Sequence, residues 1–383
     1  MIETKKRRLS LVLPVLPIVC TILVTVACAG APVRANSAPA EDIRVELVEW
    51  ARLAQSAHNY QPWRVVLDPV RSDRMKVFVE SERLLPQTDP YARQTVISVG
   101  AFLAVIEARA ARLGYQADIE LLPDGDLDDE DLARLPAARI TLLPSTEARS
   151  DFAAAADVDA LTTATVKYRY RPAELDPAVV NRITSYASQG IHVNVVTDAG
   201  QVAWLNRVSI DAFTVEMQHK PTLTETHEST RWNGRARRQD PYGLAFTANF
   251  PLRTLWLTDA FMTVAPQKPE AFGRTGIRLF TRALEDITTY ITLITDDNSR
   301  RTQIETGMVL QTIWMELHAA DHVVLANSQA LQEYSRMEPL YAEVHGRLAP
   351  GGGTVQMLLA VTRPRGGTHR FSPRFAAVDL ITR

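Results

Sequence analysis

Eight residues, Ser56-Ala57-His58-Asn59-Tyr60-Gln61-Pro62-Trp63, crowd amide, imidazole, phenol and indole groups into one short stretch of this 383-residue chain. Asn59 and Gln61 each offer a donor and an acceptor, the pattern needed to grip the edge of a heterocycle. Pro62 fixes a turn, and Trp63 supplies a large flat surface. The residues alone leave two readings open: a ligand clamp, or a capped turn packed by a tryptophan.

The octet lies between elements that can hold it. Leu47, Ala51, Leu53 and Ala54 recur at helical spacing and predict an amphipathic helix over residues 43–55. Arg64-Val65-Val66-Leu67 then opens a strand over 63–67. Further strands are predicted at 75–80, 118–122, 138–143, 192–196, 290–295 and 355–361, and helices at 92–113, 132–135, 177–188 and 300–320. Residues 164–172 read as the end of another helix. The acidic stretch Asp124 to Asp131 lacks the mid-loop glycine and terminal glutamate of a calcium loop, so it reads as a solvated turn.

The octet resembles the S-x-x-N-x-Q-P-W signature of the nitroreductase superfamily of flavoproteins. Its His-Asn pair, with Tyr60 where a small polar residue is usual, is most similar to the Acg-type branch. Arg83-Leu84-Leu85-Pro86, Asp89-Pro90-Tyr91-Ala92-Arg93 and Ser98-Val99-Gly100-Ala101-Phe102-Leu103 follow that branch's order, and Ser372-Pro373-Arg374 resembles its terminal P-R element. The resemblance implies an FMN-binding oxidoreductase that transfers hydride through flavin N5 to a quinone, nitro or other small electrophilic acceptor. NAD(P)H is the donor it suggests. The alternative it admits is a non-enzymatic flavin-binding or sequestering protein with a closed lid.

FMN requires a cationic phosphate pocket, polar contacts to the pyrimidine edge and a flat apolar wall. The cofactor-binding candidates are His58, Asn59 and Gln61, with Lys167, Arg169, Arg171 and Arg374. Lys167-x-x-x-Arg171 resembles the superfamily's basic R-x-x-x-R element, with Lys replacing the first Arg and losing its bidentate fork. Arg374 stands where the P-R element implies a phosphate contact. Arg93 either closes the pocket or bridges to Asp89. No residue is singled out as a catalytic acid or base. The basic, Trp-containing segment 228–243 resembles part of a flavin lid, within a lid region near 220–245. A solvated loop facing anionic lipid headgroups is its other reading.

Thr88-Asp89, Arg93, Gly100, Leu103 and Ile106 recur 207 positions on as Thr295-Asp296, Arg300, Gly307, Leu310 and Ile313. Nitroreductases are usually intertwined dimers with flavin at the subunit interface. The repeat therefore implies an α+β, nitroreductase-like fold of two degenerate halves. These form a single-chain pseudo-dimer with central, mainly antiparallel sheets flanked by helices, working as a monomer. The halves are expected at 42–150 and 151–383, after a signal peptide at 1–27 and a linker at 28–41. The complete signature occurs once, so one flavin site is expected.

Lys5-Lys6-Arg7-Arg8, an apolar run from Leu9 to Ala27 and a small-residue stretch form an export signal. Thr25-Val26-Ala27-Cys28 fits a lipoprotein processing site, with an uncleaved membrane anchor or cleavage between Ala29 and Ala40 as alternatives. Arg7-Arg8-Leu9-Ser10-Leu11 weakly resembles a twin-arginine signal. An exported, membrane-tethered bacterial protein is expected.

Composition narrows the chemistry. Removing residues 1–27 takes away four Lys/Arg and one Glu and moves the net charge from −2 to about −5, which gives no general attraction to nucleic acid. The only cysteines, Cys20 and Cys28, lie in the leader, so the body carries no thiol nucleophile, disulfide or Cys-based metal site. His318 and His322 are four apart, but Ala319 stands where a zinc protease motif needs glutamate. Neither G-x-S-x-G nor G-x-G-x-x-G occurs, so a nicotinamide donor would have no Rossmann domain.

Overall fold

In the computed structural model, residues 42–145, 170–245, 260–263, 268–364 and 372–382 are described. The leader, Lys167 and Arg169 lie outside the described residues. The helices are α1 (Ile43–Ala51), α2 (Arg93–Arg112), α3 (Pro177–Ser185), α4 (Ala199–Gln218), α5 (Lys220–Glu228), α6 (Gly234–Gln239), α7 (Pro269–Leu284), α8 (Arg300–Ala319), α9 (Glu338–Leu348) and α10 (Ala377–Leu380).

Two sheets are built on one plan. β1 (Trp63–Leu67), β2 (Arg74–Val79), β3 (Tyr115–Leu121) and β4 (Ala138–Pro144) run in the order β1-β2-β4-β3, each neighbour antiparallel. After β5 (Tyr170–Arg171) come β6 (Ile191–Val196), β7 (Thr230–Arg231), β8 (Leu244–Ala245), β9 (Thr289–Thr295), β10 (Val323–Ala326) and β11 (Thr354–Pro364). In the second sheet β6-β9-β11-β10 repeats the first order strand for strand, again antiparallel. The final strand, β12 (Ile381–Thr382), returns from the second half to pair in parallel with β1, Val65 opposite Ile381. The α+β class and the two-halves architecture are those expected from the repeat.

The halves meet along α2 and α8, both 20 residues long. At their crossing Gly100 faces Gly307. A Cβ on Gly100 would lie 1.9 Å from the Ile304 carbonyl oxygen, and one on Gly307 would lie 1.9 Å from that of Ile97. Ile304 is Ile97 shifted by 207 positions, so the contact is reciprocal, as a two-fold interface requires. The arginines opening the two helices behave alike. Arg93 donates to the carbonyls of Leu331 and Gln356 in the second half, and Arg300 to those of Tyr91 and Leu127 in the first. Arg93 thus ties the halves together, and Asp89 instead caps α2 by accepting from the Gln94 and Thr95 amides.

Three sequence expectations need correction. The first helix stops at Ala51, and residues 52–54 turn toward the octet. Residues 132–135 form turns, not a helix, beside Asp124, which pairs with Lys76 and Arg139. Tyr170 and Arg171, read as a helix end, are strand residues held by pairing with β11; Pro172 follows the strand outside any element, and residues 164–169 lie outside the described set.

Candidate functional site

The octet folds as a 3-10 turn over Ala57–Asn59 between α1 and β1. Three of its residues sit in the left-handed region: His58 at φ 46°, Asn59 at 57° and Gln61 at 52°. Such conformations are unfavourable for non-glycine residues and persist only where surrounding contacts impose them. Those contacts come from both halves. Ser98 on α2 accepts from the Ala57 amide at 3.1 Å, and Gln311 on α8 accepts from the Gln55 amide at 2.9 Å. Ser56 Oγ accepts from the Gln61 amide at 3.1 Å. Trp63 is fully buried and stacked on Phe102, with ring centroids 4.9 Å apart, so it anchors the end of the turn in the first core.

Asn59 and Gln61 bind two distant segments. Asn59 Nδ2 donates to the carbonyls of Gly243 and Pro373, both at 3.0 Å, while the Gly243 amide donates to the Asn59 carbonyl at 2.9 Å. Gln61, wholly buried, donates to the Pro241 carbonyl at 2.9 Å and accepts from the Phe375 amide at 3.0 Å. Their side-chain amides are therefore occupied by chain carbonyls and an amide. They fasten the 229–245 segment and the C-terminal strap to the octet.

Arg374 is the candidate cation that the fold brings to this place. Its guanidinium donates to Asn59 Oδ1 and, at 3.4 Å, to the Ala54 carbonyl. Its Nε is sealed from solvent without a partner, although the residue as a whole keeps partial exposure. Among the described residues no carboxylate pairs with it. Burial first, then the neighbouring positive charge of Arg52, push its pKa down to about 10. A buried guanidinium without a counter-ion is costly and suits a site that receives an anion.

The cover over the octet is aromatic and cationic. Tyr60 shares a 2.7 Å hydrogen bond with Ser229 and meets Tyr242 edge-on at 5.3 Å. Tyr242 stacks on Phe375, with Arg231 over the tyrosine and Arg83 over the phenylalanine. The Arg83 guanidinium also donates to the Trp63 carbonyl at 2.7 Å. Gly243, at φ 85°, allows the close return of the segment, since a Cβ there would lie 2.3 Å from the Ser229 carbonyl oxygen.

The structure thus brings His58, Asn59, Gln61 and Arg374 together. His58 is half-buried, its ring 6.5 Å from that of Tyr60. Arg171 is exposed on β5, paired with Arg363 of β11 in the second sheet. Lys167 and Arg169 lie outside the described residues. Sequence reasoning missed Arg52, Arg83 and Gln311. Arg83 stood within a quoted motif, whereas Gln311 is contributed by the other half and has no local signature.

No family model matches the chain. Two Mycobacterium tuberculosis proteins, from strains CDC 1551 / Oshkosh and ATCC 25618 / H37Rv, each provisionally named NAD(P)H nitroreductase, are 26% identical to it over 324 residues. The match spans 84% of this chain and 85% of theirs. A 78-residue stretch is 35% identical to an uncharacterised protein of the same organism, covering 20% of this chain and 23% of that one. Among solved structures, a nitroreductase with bound FMN from Desulfitobacterium hafniense covers 56% of this chain and 93% of its own, at 10% identity and a TM-score of 0.30. An FMN-dependent nitroreductase from Mycobacterium smegmatis in complex with NADPH covers 55% and 94%, at 16% identity and 0.31.

Proposed function

We propose that this chain binds one FMN and acts as an oxidoreductase of nitroreductase type, passing hydride to a quinone, nitro or similar small electrophilic acceptor, with NAD(P)H as donor. One observation carries the reading: the buried Arg374 guanidinium, which has no carboxylate partner among the described residues, is bonded to Asn59 inside the strained octet. Arg374 would hold the phosphate, with Lys167 and Arg169 as further cations of the second half and His58 beside the ring. When bound, the flavin supplies a hydride-transferring centre. The chain's part is to bind, orient and exclude water. Asn59 and Gln61 fix the turn, Trp63 anchors it, and the 229–245 segment covers it. In this reading no side chain of the octet serves as acid or base.

The same cover favours a second reading, flavin binding without turnover. The Tyr60–Ser229 bond and the Arg83-Phe375-Tyr242-Arg231 stack fasten the lid where a nicotinamide would have to enter. We further propose that the protein is exported and held at the membrane by the leader read from its sequence.

Titrating FMN into the purified full chain tests binding, with saturation at one FMN per chain expected. NAD(P)H oxidation in the presence of a quinone or nitroaromatic then separates the two readings. A chain that binds no FMN rejects both.

A further inference from the structure

We propose that the lobe of α5, α6 and α7 docks on an anionic phospholipid surface through Arg274, Arg278 and Arg282. These three arginines lie four residues apart on α7, and all are exposed. Among the described residues, no carboxylate lies within ion-pair distance of any of them. Three like charges in successive turns repel one another along the helix, so the row works against the isolated fold. It becomes favourable when an anionic surface lies across it.

The neighbouring surface extends the same sign. α7 packs against α5 and the segment leading into α6 through Phe272, whose ring is 5.3 Å from Trp232 and 5.7 Å from His227. α6 adds exposed Arg235 and Arg238, and Lys268 precedes α7. Residues 220–245 and 268–284 together carry nine Lys/Arg against four Asp/Glu, in a chain whose net charge is −2. The rest of the protein is therefore acidic, and this lobe is the end of the molecule that an anionic bilayer would attract.

Leu279 argues for lipid over nucleic acid. It is 40% exposed and lies on the side of α7 next to Arg278 and Arg282. A helix with a buried apolar face, an arginine row and an exposed leucine at the row's edge has the composition of an interfacial contact. The N-terminal apolar run, read as a membrane-targeting leader, would raise the local concentration of bilayer around this face. The docking does not depend on FMN.

The test is vesicle flotation of the full chain with phosphatidylcholine vesicles and with vesicles containing phosphatidylglycerol, at low and high salt. Wild type is compared with Arg274→Gln/Arg278→Gln/Arg282→Gln and with the corresponding triple Lys variant. The leader is identical in all three, so any difference belongs to α7. The gain in partitioning caused by phosphatidylglycerol should fall roughly a hundredfold in the Gln variant, persist in the Lys variant and weaken with salt. Equal partitioning of wild type and Gln variant, with thermal unfolding showing both folded, overturns the proposal. So does tighter binding of wild type to a duplex oligonucleotide than to the anionic vesicles.

Discussion

Gly100 and Gly307, 207 residues apart in the chain, face each other at the crossing of α2 and α8, and neither has room for a methyl group. Each would drive a Cβ onto the carbonyl of the isoleucine three residues before the other glycine. The two halves therefore share one close-packed helix pair, whose glycines are set by packing and not by turn geometry.

Gly100→Ala should force these helices apart and destabilise the chain by about 3 kcal/mol. Gly307→Ala should do the same, and the double variant should lose less than the two singles combined, because one separation of the helices relieves both clashes. Urea unfolding curves of the three variants measure this, and strict additivity would argue against a shared contact.

Arg374→Met should move stability and affinity in opposite directions. With its pKa held near 10, the buried charge opposes folding by about 3 kcal/mol. Allowing for the lost bonds to Asn59 and Ala54, the variant should be about 1–2 kcal/mol more stable without ligand. Its FMN affinity should fall ten- to a hundredfold, since a charge-assisted phosphate contact is lost. Thermal unfolding and fluorescence titration report the two effects separately.

Tyr60→Phe removes the bond to Ser229 while keeping the ring against Tyr242. It should destabilise the protein by about 1 kcal/mol and speed flavin release about fivefold. A dilution experiment following flavin fluorescence reads the release rate. No change would place the lid's hold elsewhere, in the stacked rings.

His345 sets a pH dependence. Its Nε2 accepts from the Val355 amide at 3.0 Å and Nδ1 lies 2.9 Å from the Tyr341 carbonyl, so the neutral, Nδ1-protonated ring fits. Burial lowers its pKa below 6.5, opposed by the Tyr341 carbonyl contact and assisted by Arg93. The unfolded chain then takes up this proton before the folded one does. Stability from this group is present above pH 6.5 and is lost as pH falls, with a limiting slope of about 1.4 kcal/mol per pH unit. His219 and His322 are lowered too, both chiefly by burial, and act in the same direction. His345→Gln should show a shallower loss of melting temperature between pH 6.5 and 5 than wild type.

The sequence revealed what is local or repeated. The 207-residue offset identified α2 and α8, and alternation placed β1, β2 and β4 almost to the residue. What escaped was set by distant contacts. α7 has Gly273 and Gly276 inside, signals that argue against a helix, while Pro269 at its first turn is a favourable start. Gly273 is there because a Cβ would meet the Met217 carbonyl oxygen at 2.9 Å. Likewise, nothing near Asn59 and Gln61 announces that Gly243 and Pro373 will occupy the one amide and Pro241 and Phe375 the other. The octet's composition identified a demanding place in the chain, while its partners became visible only in the fold.

We propose that one flavin sits beside Arg374 and the octet. The most direct test is equilibrium titration of the purified full chain with FMN, following the flavin's visible absorption and fluorescence. Saturation at one FMN per chain with a shifted flavin spectrum is expected. Absence of saturable binding, or saturation at two per chain, would contradict it.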